Sequence, residues 1–569
     1  MNISAQIVSY LLKNPPQIEA DILRAKRKFC KTSKIKNVPS NSELLKKYRK
    51  QTKKNEPLAN LLRKRSVRTM SGIAPIAVLT KPHPCPGSCA YCPKEKNMPT
   101  SYLSNEPAVM RAILCEFNPY KQVQMRLRAL QNNGHATDKI ELIVMGGTWS
   151  SLPDNYQLWY VSECFRGTSD FPETKNNKQL TSTIRRSQPK NKNLFKKELI
   201  KEQKRNEKAK NRIIGLTLET RPDCISIKEL QKMRALGATR IEIGIQHLDN
   251  KILKLNKRGH TVQQTIKATG LMRQFGFKIT YHIMLNLPGA TQAKDFAMCQ
   301  KIFTDPKFQP DQIKLYPCVV AKGSTLYHWW QQGQWQSYST KTLTNLLVKI
   351  KSITPPWVRI IRVIRDIPKE SIIAGNKITN LRQTVQAQMK KQKINCQCIR
   401  CREAGHQQQF PISKSKFASG KFDQFPNKFK IPNLKFIKRK YETVNNGMEY
   451  FLSYESRDQK ILYAFCRLFL PNPNDKIITD YGLQITDYRL RITDYALVRE
   501  LHTYGQMVPI GQSGKIQHQG LGKKLLLEAE KIAKKHGYQK IAVIAGIGVR
   551  EYYRKLGYKL QNTYMIKNI

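Results

Sequence analysis

At 569 residues the chain is too long for one hydrophobic core, so two or three domains are expected. A 40% hydrophobic content excludes wholesale disorder, and 100 Lys and Arg against 40 Asp and Glu leave a charge of +60 that calls for a polyanion, nucleic acid foremost; a charged surface kept for solubility is the bland alternative. No window reaches the ~18 uninterrupted apolar residues of a bilayer span, and the N-terminus lacks a signal-peptide pattern, so no membrane role and a cytoplasmic location are expected.

Taken in chain order, residues 1–71 carry LLKKYRKQTKKN and NLLRKRSVR, where Leu recurs among Lys and Arg at helical spacing. They predict a basic helical extension facing RNA. From Gly72, the runs IAPIAVLT, KIELIVMGG, IIGLTLET, ATRIEIGIQ, FKITYHIML and QIKLYPCVV read as buried strands, most of them separated by helices. This alternation predicts an α/β fold, a partial (β/α) barrel over 72–390. Within it, the polar, basic stretch 166–212 reads as an inserted loop or exposed helix, an RNA contact or a solvated surface with equal weight. Residues 391–435 form a cysteine-bearing linker. In 436–569, LVRELHTYG, LGKKLLLEAEKIAKKHG, KIAVIAGIG and EYYRKLGY suit a small α/β domain. Ile-Thr-Asp-Tyr recurs at 478, 485 and 492, a seven-residue period without apolar a and d positions, and reads as a duplication lengthening a hairpin.

The first chemical cluster is PHPCPGSCAYCPKE, which sets Cys85, Cys89 and Cys92 in C-x3-C-x2-C spacing after the first strand. Three thiolates on one loop hold three irons of a cubane and leave the fourth open. An open iron can chelate S-adenosylmethionine and deliver an electron to its sulfonium, giving a 5'-deoxyadenosyl radical. A structural zinc loop is the competing reading, but zinc prefers four ligands and no fourth cysteine is near. Gly146, Gly147 and Thr148 close the second strand, where small residues let backbone approach the cosubstrate. Glu219 and Arg221 end the third and are candidates for its ribose and carboxylate. Each is weak alone; their shared place at strand C-termini, where barrel sites form, singles them out.

Near the C-terminus, Gln517-His518-Gln519-Gly520-Leu521-Gly522 precedes an amphipathic helix, a turn whose N–H groups and helix dipole favour a pyrophosphate; an ordinary helix start is the alternative. The surrounding order of strands and helix resembles GNAT-type acetyltransferases, in which a tyrosine after the last helix can act on the CoA thiolate. Tyr552 and Tyr553 are the candidates. In the linker, Cys396, Cys398, Cys401 and His406 form a possible zinc set, with unliganded neighbouring cysteines as the alternative.

PHPCPGSCAYCP, EPAVMRAI, DKIELIVMGGTW, LTLETRPD, RIEIGIQ, RGHTV, IKLYPCVV, PPWVRIIRVIRDIP, REAGH, FLSYE, VRELHTYG, QHQGLGK and YYRKLGY together resemble the catalytic subunit family of Elongator, from about Ile73 to the C-terminus. The resemblance implies a radical SAM domain followed by a GNAT-type domain, acting as a tRNA uridine(34) 5-carboxymethyltransferase. It implies a 4Fe-4S cluster, S-adenosylmethionine and acetyl-CoA as cofactors, beside the zinc expected from the linker cysteines. The anticodon loop of tRNA is the implied substrate, with a homodimer or an Elongator-like assembly as further partners. In the family's mechanism the radical takes a hydrogen from the acetyl methyl of acetyl-CoA, the carbon radical adds to the base, and hydrolysis releases the product. Carried over by position, acetyl-CoA contacts fall at Lys139, Arg499, Glu500, Leu501, His502, Gly520, Leu521, Gly522 and Tyr552, with Gln519 in the same turn. Lys139, His502, Tyr552 and Tyr553 are the expected catalytic set. The compact cysteine spacing is similar to microbial members, whereas the 166–212 stretch and the Ile-Thr-Asp-Tyr repeat look foreign to the family. A protein lysine acetyltransferase using only the last domain would leave the cysteine loop without purpose. An inactive tRNA-binding scaffold would be free to lose its cysteines.

Overall fold

The computed structural model describes residues 2–51, 56–64, 66–172, 192–406, 434–472, 484–485, 488–489, 494–505, 516–517 and 519–569. Its first sheet has seven parallel strands in sequence order: β1 Ala74–Leu79, β2 Lys139–Met145, β3 Arg212–Thr220, β4 Arg240–Gln246, β5 Lys278–Leu285, β6 Gln312–Pro317 and β7 Arg359–Arg362. Six follow the expected apolar runs. The seventh, RIIR, was hidden because arginines bracket its two isoleucines.

Alternation along these strands explains the site. In β4, Ile241, Ile243 and Ile245 are wholly buried in the core beneath the flanking helices, while Arg240, Glu242, Gly244 and Gln246 face the concave side. The same alternation sends Lys139, Glu141, Ile143 and Met145 of β2, and Gln312, Lys314 and Tyr316 of β6, inward. An open barrel therefore has an apolar outer layer and a charged inner face.

The second sheet follows the order β15-β16-β14-β13-β10-β9-β8. Its strands are β8 Leu434–Thr443, β9 Gly447–Ser456, β10 Leu462–Leu470, β13 Ala496–Thr503, β14 Lys540–Val543, β15 Lys559–Gln561 and β16 Tyr564–Asn568. A short ribbon, β11 Gln484–Ile485 against β12 Tyr488–Arg489, lies between β10 and β13, which pair antiparallel. Most of the Ile-Thr-Asp-Tyr repeat lies outside the described residues. Strands β13 and β14 are parallel and pair only from Ala496 to Val498. Beyond Val498 they part, and the helix Leu521–Lys535 begins beside the gap.

The two sheets are locked together. A Cβ on Gly546 would stand 2.0 Å from the Ile214 carbonyl oxygen, and one on Gly548 would stand 2.5 Å from the Arg212 Cβ, so only glycine lets the second domain sit this close to β3. Between the sheets, Arg499 bridges Asp311 and Glu449, Arg273 also pairs with Glu449, and Arg467 joins Asp311 to Glu500.

The stretch read as an inserted loop or exposed helix is in part a packed helix. Its beginning belongs to the helix Asp154–Ser169, and Lys192–Asn206 is a helix that buries Phe195 and Leu199. Asn206, fully buried, donates to Thr168 Oγ1 and accepts from the Ile213 amide, and Glu207 pairs with Arg550 and Arg554 of the second domain. The basic residues lie on its outer face, which is what the composition registered; residues 173–191 lie outside the described residues.

At the N-terminus, helices Ile3–Lys13, Glu19–Thr32, Asn41–Tyr48 and Glu56–Leu62 pack around Ile7, Val8, Leu11, Leu44 and Leu45. They dock on the barrel where Arg63 Nε donates to the Gly134 carbonyl, 3.0 Å, and Thr69 Oγ1 meets His135 Nδ1, 3.0 Å. No helix among the described residues is long and apolar enough to cross a membrane.

Candidate active site

One cavity of about 1190 Å³ runs from the cysteine loop of the barrel to the glycine turn of the second domain. At one end stand Cys85, Cys89 and Cys92, on the loop after β1, with Gly147, Thr148, Glu219 and Arg221 from the ends of β2 and β3. At the other stand Leu501, His502, Gly520, Leu521, Gly522, Tyr552 and Tyr553, with Lys139, at the start of β2, also on the cavity wall.

The cysteine end is built to receive anionic groups. Arg258 Nη1 donates to Cys89 Sγ at 3.2 Å, and Cys85 Sγ lies 3.5 Å from Thr148 Oγ1. The contact between Cys89 and Cys92 lowers the Cys89 thiol and raises that of Cys92, and Arg258 and Arg221 favour the charged form of Cys89. Arg221 is fixed by Asp223 and by the Arg258 carbonyl, yet its Nη1 is buried with no hydrogen-bond partner among the described residues. An orphaned guanidinium nitrogen beside Gly87 of the cysteine loop fits a site that takes a metal cluster and a carboxylate-bearing ligand. Glu219 accepts from the Tyr102 hydroxyl, 3.1 Å. Gly146 does not line the cavity; its positive φ of 133° and a Cβ that would meet Thr80 Oγ1 at 2.0 Å make it a packing glycine.

The floor is a row of paired charges. Glu141 meets Arg240 at 2.6 Å, and Glu242 holds His282 at 2.8 Å as well as Lys314, which also lies 3.5 Å from Glu219. Burial alone would raise the Glu242 carboxyl, but Lys314, His282 and Arg240 overcome it and hold the group well below the usual range.

At the far end, Gly520 adopts φ +77° as the cap of the helix Leu521–Lys535, and the Tyr552 hydroxyl lies 3.2 Å from where a Cβ on Gly522 would stand. Burial pushes the Tyr552 phenol up to about 12 and Tyr553 higher, so both stay protonated. The His502 Nε2–H donates to the Ser71 carbonyl, 2.8 Å, and burial lowers its pKa, leaving a neutral ring. Lys139 Nζ donates to Gln517 Oε1 at 2.7 Å, and burial brings its pKa to about 8.

These two halves match known families. Residues 83–297 match the radical SAM superfamily, 310–391 its C-terminal domain, and 495–558 the acetyltransferase (GNAT) family. The chain is 41% identical over 545 residues to a tRNA uridine(34) acetyltransferase of Methanocaldococcus infernus, covering 93% of this chain and 92% of that one. To the Homo sapiens Elongator complex protein 3 it is 36% identical over 520 residues, covering 89% and 86%. A solved Methanocaldococcus infernus Elp3 with an N-terminal deletion superposes with a TM-score of 0.69 at 37% identity, over 88% of this chain and 100% of that one. The chain belongs to the Elongator complex protein 3 family. Membership makes it an enzyme of the transferase class and implies a 4Fe-4S cluster and S-adenosylmethionine for the first domain and acetyl-CoA for the second.

For a member of this family, several assignments made from sequence shift. The Arg499 guanidinium is wholly buried between Asp311 and Glu449, and Glu500 is taken by Lys278 and Arg467, so these two side chains join the domains, while both residues also line the cavity. Gln519 is not part of the cavity wall, and His518 lies outside the described residues. Cys396, Cys398 and Cys401 bring their sulfurs within 4.8 Å of one another, but His406 is not in that group. Its Nε2 is held by Glu403 at 2.7 Å, because the short turn Ala404–His406 folds the ring back onto that buried carboxylate. Sequence reading missed Arg258, Glu242, His282 and Lys314, whose signal was charge at alternate positions of apolar strands and an arginine beside a glycine in RGHTV.

Proposed function

We propose that the chain modifies the wobble uridine of tRNA, placing a carboxymethyl group derived from acetyl-CoA on carbon 5 of uridine 34. The observation that carries this reading is the single cavity joining the cysteine loop to Gly520 and Gly522: reactions run separately would need no common wall. The relatives' names, which specify tRNA uridine(34), support the substrate. The +60 charge and the basic N-terminal helices suit the phosphates of a bent anticodon loop.

Cys85, Cys89 and Cys92 would hold the 4Fe-4S cluster, which with S-adenosylmethionine supplies a 5'-deoxyadenosyl radical. The orphaned Nη1 of Arg221 would receive the methionine carboxylate and Glu219 the ribose hydroxyls, with Gly147 and Thr148 lining the cavity beside them. At the other end, the N–H groups at Gly520, Leu521 and Gly522 receive the pyrophosphate of acetyl-CoA at a helix N-terminus. Lys139 adds a positive charge from the barrel side. Tyr552, protonated and next to Gly522, donates its phenolic proton to the CoA sulfur as the thioester is hydrolysed, and neutral His502 accepts a proton at Nδ1. Cys396, Cys398 and Cys401 would hold a structural zinc, whose excess thiolate charge Lys351 would offset; its Nζ donates to Cys401 Sγ at 3.3 Å. The enzyme works in the cytoplasm.

Anaerobically reconstituted protein given tRNA, acetyl-CoA and S-adenosylmethionine is expected to yield 5'-deoxyadenosine and 5-carboxymethyluridine. Cys89→Ala should abolish both. Lysine acetylation of a protein substrate that survives Cys89→Ala, with no modified uridine from the parent, would overturn this in favour of a protein acetyltransferase.

A further inference from the structure

The segment Asn256–Arg258 grips the cysteine loop from below. The Ala90 amide donates to the Asn256 carbonyl, 3.1 Å, and the Asn256 side chain is itself fixed by the Ile252 and Pro288 carbonyls at 2.9 and 3.0 Å. Arg258, 6% exposed, sends Nη1 to Cys89 Sγ at 3.2 Å and Nη2 to the Gly244 carbonyl, and its own carbonyl receives Arg221 Nη2 at 2.8 Å. Gly244 makes this possible: a Cβ there would stand 2.8 Å from Arg258 Nη2 and 2.6 Å from the Gln246 side-chain Nε2. A glycine in the middle of a buried strand weakens the strand, and here it opens the space through which the guanidinium reaches the thiol.

Among the described residues, this is the one guanidinium recorded as donating to a thiol of the loop. A cluster held by three thiolates gains a further negative charge when it takes up an electron. A buried cation hydrogen-bonded to one of those sulfurs stabilises the reduced state more than the oxidised one, because in a low-dielectric setting the added charge is poorly screened.

We propose that Arg258 is a positioning residue that raises the reduction potential of the cluster by hydrogen-bonding Cys89. This rests on the reading that Cys89 ligates a 4Fe-4S cluster. The test is a redox titration of anaerobically reconstituted full-length protein, followed by the electron paramagnetic resonance of the reduced cluster, with iron and sulfide measured on each sample. Arg258→Gln is expected to keep its iron and to lower the one-electron reduction equilibrium by about tenfold, a midpoint shift of ~59 mV. Arg258→Lys, which keeps the charge but not the fork, should fall between the two. Gly244→Ala, which leaves Arg258 in place but displaces its guanidinium, should shift the midpoint in the same direction. With a fixed one-electron donor, Arg258→Gln should form 5'-deoxyadenosine more slowly, and a donor of lower potential should restore the rate. An unchanged midpoint in iron-replete Arg258→Gln overturns the proposal. Loss of iron from folded Arg258→Gln and Arg258→Lys alike also overturns it, in favour of a residue that only shapes the loop. A parent protein without a reducible cluster would instead defeat the underlying reading, and the two failures are told apart by the parent's own titration.

Discussion

Arg499→Met tests whether the arginine in VRELHTYG binds acetyl-CoA or joins the domains. Its Nη1 lies 2.8 Å from Glu449 and 3.1 Å from Asp311, its Nη2 donates to Asp311 and to the Phe277 carbonyl, and all three charged side chains are fully buried. Methionine keeps most of the stem but strands two carboxylates, and breaking a buried pair by removing one partner costs about 3–5 kcal/mol. Arg467 and Arg273 remain as partial partners, so the lower end applies. For a unit the size of the second domain this is a fall of roughly 6 °C or more in apparent unfolding temperature. Asp311 is held below the usual carboxylate range: burial would raise it, but Arg499 and Arg467 outweigh that. Because its folded pKa is depressed, its contribution is complete above the unfolded pKa of about 3.9 and is lost as pH falls further, so the gap between parent and variant should narrow in acid. The assay is thermal unfolding of the full chain beside acetyl-CoA titration calorimetry at low temperature, where the variant is folded. Acetyl-CoA affinity is expected to change less than about threefold. A parent-like unfolding temperature together with a loss of affinity of about tenfold would refute the reasoning.

Gly546→Ala puts a Cβ 2.0 Å from the Ile214 carbonyl, with backbone on both sides and no flexible side chain to yield. Denaturant unfolding should show a loss of about 1–3 kcal/mol, and a parent-like midpoint would mean the domains sit farther apart than described. Lys139, lowered to about 8 by burial, is charged below that pH and neutral above it. Acetyl-CoA affinity should therefore weaken as pH rises through about 8 in the parent and stay flat in Lys139→Met; a flat parent profile would remove Lys139 from the acetyl-CoA site. The same depression means that folding disfavours the charged form, so Lys139→Met should stabilise the protein at neutral pH. That advantage fades between about pH 8 and 10.4.

The outer layer of the barrel was legible because its isoleucines, leucines and valines recur in short runs between helices, and the cysteine loop because its spacing is local. What stayed hidden depends on partners far apart in the chain. Arg499 looks like any arginine in a strand until Asp311, 188 positions away, is folded beside it. His406 sits five residues after Cys401 and reads as a ligand until Glu403 takes its ring. The helix Lys192–Asn206 looks solvated because its charged face dominates its composition, while Phe195, Leu199 and Asn206 are buried on its other face.

The charged floor was the hardest part to read and carries the strongest physical constraint. Glu242 and Lys314 are 1% and 7% exposed, and neither ion would be tolerated there alone. Each exists because the other does, and Arg240, Glu141 and His282 extend the pairing across the strands in register, Arg240 beside Lys278 and His282 beside Lys314. Such a row is fixed before any ligand enters, since moving one member would strand its neighbours. A cavity lined this way presents oriented charges to whatever is bound between the two ends, and needs little rearrangement to do so. Sequence patterning could not reveal this, because the pairs are set by strand register and not by spacing within any one strand.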